Sequence, residues 1–266
     1  MKYKCYKNRE KLPTKGGDYW REVDFDEHLK LTEKQTTYNY LLKNYPPPGK
    51  ILEAGCGLGR WVIPLAKENY NVTGIEIEEE ALNTIKQNFK AENLTLIHGD
   101  IFNMPFEPDA FDIVISLGVL EHFEDPVLQQ KAIYEHIRVL KKGGYFLVTV
   151  PYLSILRLLF HIPFLKIVTL IHKIKRKQHY FAEYRYNKRE FKKILEKAGL
   201  KIVDFIYDEL YEPDNFGLTI DYPVREIFRK KNAQYKLNSF GKLVFKIFWK
   251  IYPGLISGGI GFVCTK

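Results

Sequence analysis

The chain has 266 residues, 45% hydrophobic and 27% charged, with a formal net charge of +9. This balance excludes a disordered chain and a disulfide-stapled miniprotein, and it allows one large domain with a cap. The three cysteines, Cys5, Cys56 and Cys264, have no metal-ligand spacing, and the basic, polar start lacks an apolar run. Reduced thiols, no metal site and a cytoplasmic location are therefore expected.

The pattern predicts an N-terminal helical segment over 1–49, with a helix at about 26–43 and the stiff connector "NYPPPGK" (44–50). From residue 50 onward, apolar strands alternate with helices. "KILEAG" (50–55) reads as a buried strand and "RWVIPLAKEN" (60–69) as a helix. "NVTGIEI" (71–77) is the second strand and "EEEALNTIKQNFKA" (78–91) a helix with an acidic first turn. "LTLIHGD" (94–100) and "FDIVISLG" (111–118) follow as strands. "PVLQQKAIYEHIRVLK" (126–141) is a helix stopped by Gly143 and Gly144, and "YFLVTVP" (145–151) is the fifth strand. Such alternation builds βαβ units around a parallel sheet covered on both faces. "KREFKKILEKAGLKIVDFIY" (188–207) adds a helix and a strand, and "GGIGFVCTK" (258–266) a last strand. Two insertions, about 152–187 and 208–257, leave the sheet's carboxyl edge and are expected to cap it.

Three glycines, Gly55, Gly57 and Gly59, follow the first strand as GxGxG, with Glu53 just before them. A glycine turn at this place lets a cofactor lie against bare backbone. The acidic residue beside it suits a ligand with an ammonium group better than a pyrophosphate. Glu76 ends the second strand, where a carboxylate can accept both hydroxyls of a ribose. Asp100 follows the third strand and can accept from an adenine amino group. Three acids at successive strand ends beside GxGxG form a constellation that a tight turn or a helix cap does not require.

"ILEAGCGLGRW…VTGIEIEEEAL…LIHGDIFNMPF…FDIVISLGVLEHFEDP…LKKGGYFLVTVP" resembles the class I S-adenosylmethionine-dependent methyltransferases, nearest the small-molecule branch of quinone and lipid biosynthesis. The resemblance is strong over 50–151. It implies an α/β, Rossmann-like, doubly wound sheet of seven strands, mostly parallel, with an antiparallel last strand and a helical cap from the two insertions. By that resemblance the methyltransferase domain spans 50–266. Glu53, Gly55 and Gly57 surround the methionine part of S-adenosyl-L-methionine, and Glu76 holds the ribose. Asp100 and the backbone of Ile101 meet the adenine, and Ser116 and Leu117 line the methionine side. Gly59 and Ile77 complete the cofactor set. Arg60 departs mildly from the small or polar residue common in the family.

Methyl transfer from a sulfonium needs alignment above all, and sometimes removal of an acceptor proton. His122, in "LEHF" past the fourth strand, is the candidate base; a role confined to shaping the pocket is the alternative. Tyr152, His179, Tyr180, Tyr184 and Tyr186 are candidate acceptor-pocket residues, and Tyr19 or Trp20 a candidate cofactor cover. The charge is uneven: residues 151–266 hold 22 Lys and Arg against 10 Asp and Glu, net +12, and the first 150 are net −3. A basic cap with apolar, aromatic stretches suits peripheral contact with an anionic membrane, or is simply a solvated lid. Nucleic acid is less favoured. "SLGV" replaces the NPP[YF]-like stretch of enzymes acting on exocyclic base nitrogens, and no cysteine sits where cytosine C5 chemistry needs one. The expected function is methyl transfer to a hydroxyl or carboxyl of a small, apolar or lipid-linked acceptor. An RNA methyltransferase and a non-catalytic S-adenosylmethionine-binding protein stay open as alternatives.

Overall fold

The structure is a computed structural model that describes residues 2–8, 25–33, 35–174, 179–208 and 237–266. In chain order come β1 (Lys2–Asn8), α1 (Phe25–Thr32), α2 (Thr36–Asn44), β2 (Lys50–Ala54), α3 (Val62–Lys67), β3 (Asn71–Glu76), α4 (Glu79–Asn88), β4 (Leu94–His98) and β5 (Phe111–Leu117). A 3-10 turn (Leu120–His122) leads to α5 (Pro126–Val139) and β6 (Leu140–Pro151). A π-helical turn (Arg157–His161) runs into α6 (Ile162–Ile174), then β7 (His179–Tyr186), α7 (Lys188–Lys197), β8 (Lys201–Asp208), α8 (Ser239–Ile251) and β9 (Gly259–Thr265).

Seven strands form one sheet in the order β4-β3-β2-β5-β6-β9-β8. All neighbours are parallel except β9, which lies antiparallel between β6 and β8. The strand order reverses between β2 and β5, the switch point at which open α/β sheets bind ligands. Strand parity sorts the core. Ile51, Ile113, Leu147 and Val263 face α2, α3 and α4 through Leu41, Val62, Leu65, Leu82 and Ile85. Their neighbours Leu52, Val114, Phe146 and Phe262 face α5 and α7 through Ala132, Ile133, Phe191 and Leu195. Both faces are therefore dry, which is why these strands read as unbroken apolar runs.

Helix starts carry their own signals. Asp125 Oδ1 accepts from Val127 N at 2.8 Å ahead of Pro126, and Asn187 Oδ1 accepts from Glu190 N at 2.8 Å. Four expectations need correction. The N-terminal segment is not wholly helical: Lys2–Asn8 is a strand, paired antiparallel with β7 in a separate two-stranded ribbon. The expected single helix over 26–43 is two helices. The insertion at 152–187 is not all helix, since it contributes β7. Gly143 and Gly144 do not stop a helix. They lie inside β6, which starts at Leu140 opposite Phe111. Of the second insertion, 209–236 lies outside the described residues.

Candidate active site

The carboxyl ends of β2, β3, β4 and β5 bring the expected residues to one edge. Gly55, Gly57 and Gly59 all have positive φ, at 81°, 50° and 79°. A Cβ on Gly55 would lie 2.7 Å from Val119 Cγ2, so the turn after β5 packs directly on the glycine loop. Gly55 N and Cys56 N both donate to Ile75 O, at 2.9 and 3.1 Å, which ties the loop to β3.

Glu76 joins three segments. Its Oε2 accepts from Gly57 N at 2.8 Å, and its Oε1 accepts from Ile77 N and Glu78 N at 2.9 and 3.1 Å. Its carbonyl accepts from Gly99 N at 3.0 Å, bringing in the loop after β4. Glu53 is buried and accepts from Val62 N at 3.0 Å, at the start of α3. Burial first, and the nearby Glu76 charge second, hold the Glu53 carboxyl well above its ordinary pKa. Two acids thus crowd the glycine loop, an arrangement that favours a cation beside them. Cys56 sits between them, buried, with its thiol pKa pushed well up by burial and by the same two acids. That makes it a poor nucleophile.

Asp100 is exposed two residues past β4, where its Oδ1 accepts from Phe102 N at 2.8 Å, and Ile101 is half-buried beside it. Ile77 is exposed, with its carbonyl 2.9 Å from His98 Nε2. Arg60 donates Nε–H to Thr32 Oγ1 at 3.3 Å, and Thr32 Oγ1 donates to Arg60 O, so α1 borders the glycine loop. Trp61 Nε1–H donates to Gln35 Oε1 at 3.2 Å, and its ring meets Tyr38 edge-on at 5.2 Å.

Beyond β5 the chemistry changes. Ser116 is fully buried and Leu117 half-buried. Ser116 Oγ and Glu121 Oε2 are two of only three buried side-chain atoms without a hydrogen-bond partner among the described residues. Burial pushes the Glu121 pKa up to about 7; the His122 charge lowers it and Glu183 raises it. His122 is exposed, and its Nδ1 lies 2.7 Å from Ala182 O on β7. A carbonyl only accepts, so Nδ1–H donates in this bond, and the neutral form of the ring carries its lone pair on Nε2. This bond joins the post-β5 turn to the cap across 60 residues.

Gln129 of α5 supports the turn from behind, donating Nε2–H to Leu120 O and to Tyr186 Oη, both at 2.7 Å. Sequence reasoning missed Gln129, because its partner Tyr186 lies 57 residues away. The acceptor tyrosines are differently employed. Tyr152, Tyr184 and Tyr186 belong to the main core cluster, and Tyr184 Oη donates to Glu124 O at 3.0 Å. Tyr19 and Trp20 lie outside the described residues, as do the side chains of His179 and Tyr180.

Known proteins match this architecture. Residues 52–148 match the methyltransferase domain family. A demethylmenaquinone methyltransferase of Staphylococcus aureus is 32% identical over 164 residues, covering 56% of this chain and 67% of the relative. A chain from the complex of the Haloferax volcanii Trm112 methyltransferase activator with a methyltransferase superposes with a TM-score of 0.61 at 16% identity, over 96% of this chain and 98% of that one. A methyltransferase from Methanosarcina mazei, described as S-adenosylmethionine-dependent, gives 0.57 at 18% identity, over 85% and 96%. The solved structures speak for the fold, and the relative and the domain family for the lineage. With the glycine loop and the strand-end acids in place, the chain belongs to the class I S-adenosylmethionine-dependent methyltransferases.

Proposed function

We propose that this methyltransferase acts on a hydroxyl or carboxyl of a small, apolar or lipid-linked acceptor, bound between the post-β5 turn and the cap. One observation carries the reading. Glu121 Oε2 is buried without a hydrogen-bond partner on the turn after β5, whose flanking Leu120 and Phe123 belong to or pack on the main apolar cluster. Phe102 packs on Phe123 at 4.9 Å, and Phe181 on Tyr184 at 4.9 Å. Apolar walls with a few convergent polar atoms suit a ligand with an apolar body and one polar group. The S. aureus relative is named for a demethylmenaquinone, which agrees with an acceptor of that kind.

The cofactor S-adenosylmethionine supplies an activated methyl group on a sulfonium. The residues present fit it. The positive-φ glycines offer bare backbone, and the buried Glu53 beside Glu76 suits a cationic amino-acid end. In this reading Glu53, Gly55, Gly57, Gly59, Ser116 and Leu117 hold the methionine part. Glu76 and Ile77 hold the ribose, and Asp100 and Ile101 the adenine. Ala182 O orients His122, whose Nε2 takes the acceptor's proton.

The test is calorimetric titration of S-adenosylmethionine and S-adenosylhomocysteine into wild type and Glu76→Gln, then an acceptor screen with quinols, fatty acids and polyprenyl lipids read by mass spectrometry. Binding that weakens in the variant, with methylation of one acceptor class, is the expected result. A folded wild type that binds the cofactor and methylates only RNA would overturn the acceptor reading. His122→Asn should lower kcat by about 10²–10⁴-fold without changing cofactor affinity; an unchanged kcat would reduce His122 to a clasp.

A further inference from the structure

The outside of the cap carries an apolar surface that the site does not use. Leu156, ahead of the π-helical turn, joins Phe245, Phe248 and Trp249 of α8 in one small cluster with Leu237 and Ile256. The lead-in to α6 and the inner face of α8 therefore meet. Among the described residues, their outer faces carry exposed apolar side chains. On α8, Leu243, Ile247 and Ile251 are 49% to 68% exposed. At 3.6 residues per turn they fall in an arc of roughly 80°. Lys242, Lys246 and Lys250, all exposed, run along the adjacent arc. On the other segment Leu159, Ile167, Leu170 and Ile174 are 57% to 75% exposed, and Lys166 is exposed beside them. Among the described residues, α6 packs on the π-helical turn that leads into it.

Single exposed apolar residues are ordinary; seven on two segments that share a cluster are not. Charge says what covers them. Residues 152–182 and 237–266 contain no Asp or Glu at all, against six and four Lys and Arg. A second copy of this chain would set the same patch against itself in an isologous contact, lysine stripe facing lysine stripe, with no acid supplied by either segment. An anionic lipid surface meets both needs, with acyl chains for the apolar stripes and phosphates for the lysines. Among the described residues no helix is long and apolar enough to cross a membrane, so contact is interfacial.

We propose that α6 and α8 seat the protein on an anionic bilayer, with their apolar stripes in the acyl boundary and the Lys242, Lys246 and Lys250 row on the headgroups. The surface would bring the capped site to an acceptor that lives in lipid, so this deepens the lipid-linked reading above.

The full chain would be sedimented with vesicles of phosphatidylcholine alone and of phosphatidylcholine with phosphatidylglycerol. Wild type should bind the anionic vesicles at least about tenfold more, and less in high salt. Leu243→Asp with Ile247→Asp should cut that binding about tenfold or more. Lys242→Gln with Lys246→Gln and Lys250→Gln should abolish the preference for anionic lipid. All these positions are exposed, so thermal melts and cofactor titration should match wild type. Failure of wild type to bind either vesicle overturns the proposal, as does binding that ignores both sets of substitutions. A concentration-dependent dimer lost in Leu243→Asp with Ile247→Asp, without vesicle binding, would assign the face to a second copy. Vesicle binding without cofactor binding would instead sink the methyltransferase site and leave the docking face standing.

Discussion

Gly55 and Glu121 show how single positions are committed to the site. Gly55 has φ +81°, and a Cβ there would lie 2.7 Å from Val119 Cγ2. Gly55→Ala thus combines a left-handed backbone with a clash against the post-β5 turn. It should cost about 1–3 kcal/mol of stability and weaken S-adenosylmethionine binding, measured by urea unfolding and calorimetry. Glu121 carries a pH signature. Its carboxyl has a folded pKa of about 7, raised from 4.5 by burial. Between those values the folded chain holds a proton that the unfolded chain releases, so this group's contribution to stability falls as pH rises from about 4.5 through 7. His122, Glu183 and Tyr186 face it; the His122 charge and a backbone N–H of Glu121 favour its ionised form, and burial outweighs both. Glu121→Gln removes the ionisation. It should match wild type near pH 4.5 and exceed it by about 2–3 kcal/mol at pH 8, read from unfolding curves at both pH values. A constant difference across pH would mean that the carboxyl is solvated.

Elements far apart in sequence close the fold through a few buried polar contacts. Asp208 ends β8 and is buried; its Oδ2 accepts from Thr37 Oγ1 and from Thr37 N, the latter at 3.3 Å, 171 residues away. Ser257 Oγ donates to Asp208 O at 2.7 Å, ahead of β9. Thr37→Val keeps the shape of the side chain and removes its hydroxyl. It should lower stability by about 1–3 kcal/mol, seen as a lower urea midpoint with unchanged slope. Nothing in the sequence marks Thr37 for Asp208. The central sheet strands β2, β3, β5, β6 and β9, by contrast, were legible because they are largely buried and read as nearly continuous apolar runs, whereas the edge strands β4 and β8 are partly exposed and were placed by the alternation with helices. The strand-end acids and the GxGxG turn were legible for the same reason, since strand ends fix their place. The β1–β7 ribbon was not. "KYKCYKN" reads as a basic tail, yet its Cys5 is buried and Lys2 Nζ sits 4.0 Å from the Tyr184 ring centroid. On β7, Glu183 and Arg185 are buried together, with Nε 3.0 Å from Oε1, a pair that looks like surface in a sequence. Arg157 misleads in the same way. It is 1% exposed, with Nη1–H donated to Tyr152 O and, at 2.8 Å, to Gly258 O, so it anchors the cap to the sheet's end.

At the scale of the whole molecule, the proposed cofactor site is an assembly of four loops rather than a feature of one element. The loops after β2, β3, β4 and β5 touch one another through Glu76, Gly99 and Val119, so a ligand lying across them bridges contacts from residue 53 to residue 117. Ligand that binds only the native arrangement stabilises it by mass action, by about 2.7 kcal/mol at a hundredfold excess over Kd. With an unfolding entropy of about 2.1 cal/mol/K per residue, a chain of 266 residues should gain about 5 °C in Tm. Differential scanning calorimetry with S-adenosylhomocysteine checks this without turnover. Glu76→Gln should lose most of the shift, because the same carboxylate ties three backbone N–H groups and is the expected ribose contact. The lysine and apolar variants of α8 should keep the full shift, since that face lies outside the four loops. A shift of that size in wild type and in the α8 variants, but not in Glu76→Gln, would place the stabilisation at the carboxyl edge of the sheet. Equal shifts in every variant would mean that the ligand stabilises the chain from somewhere other than these loops.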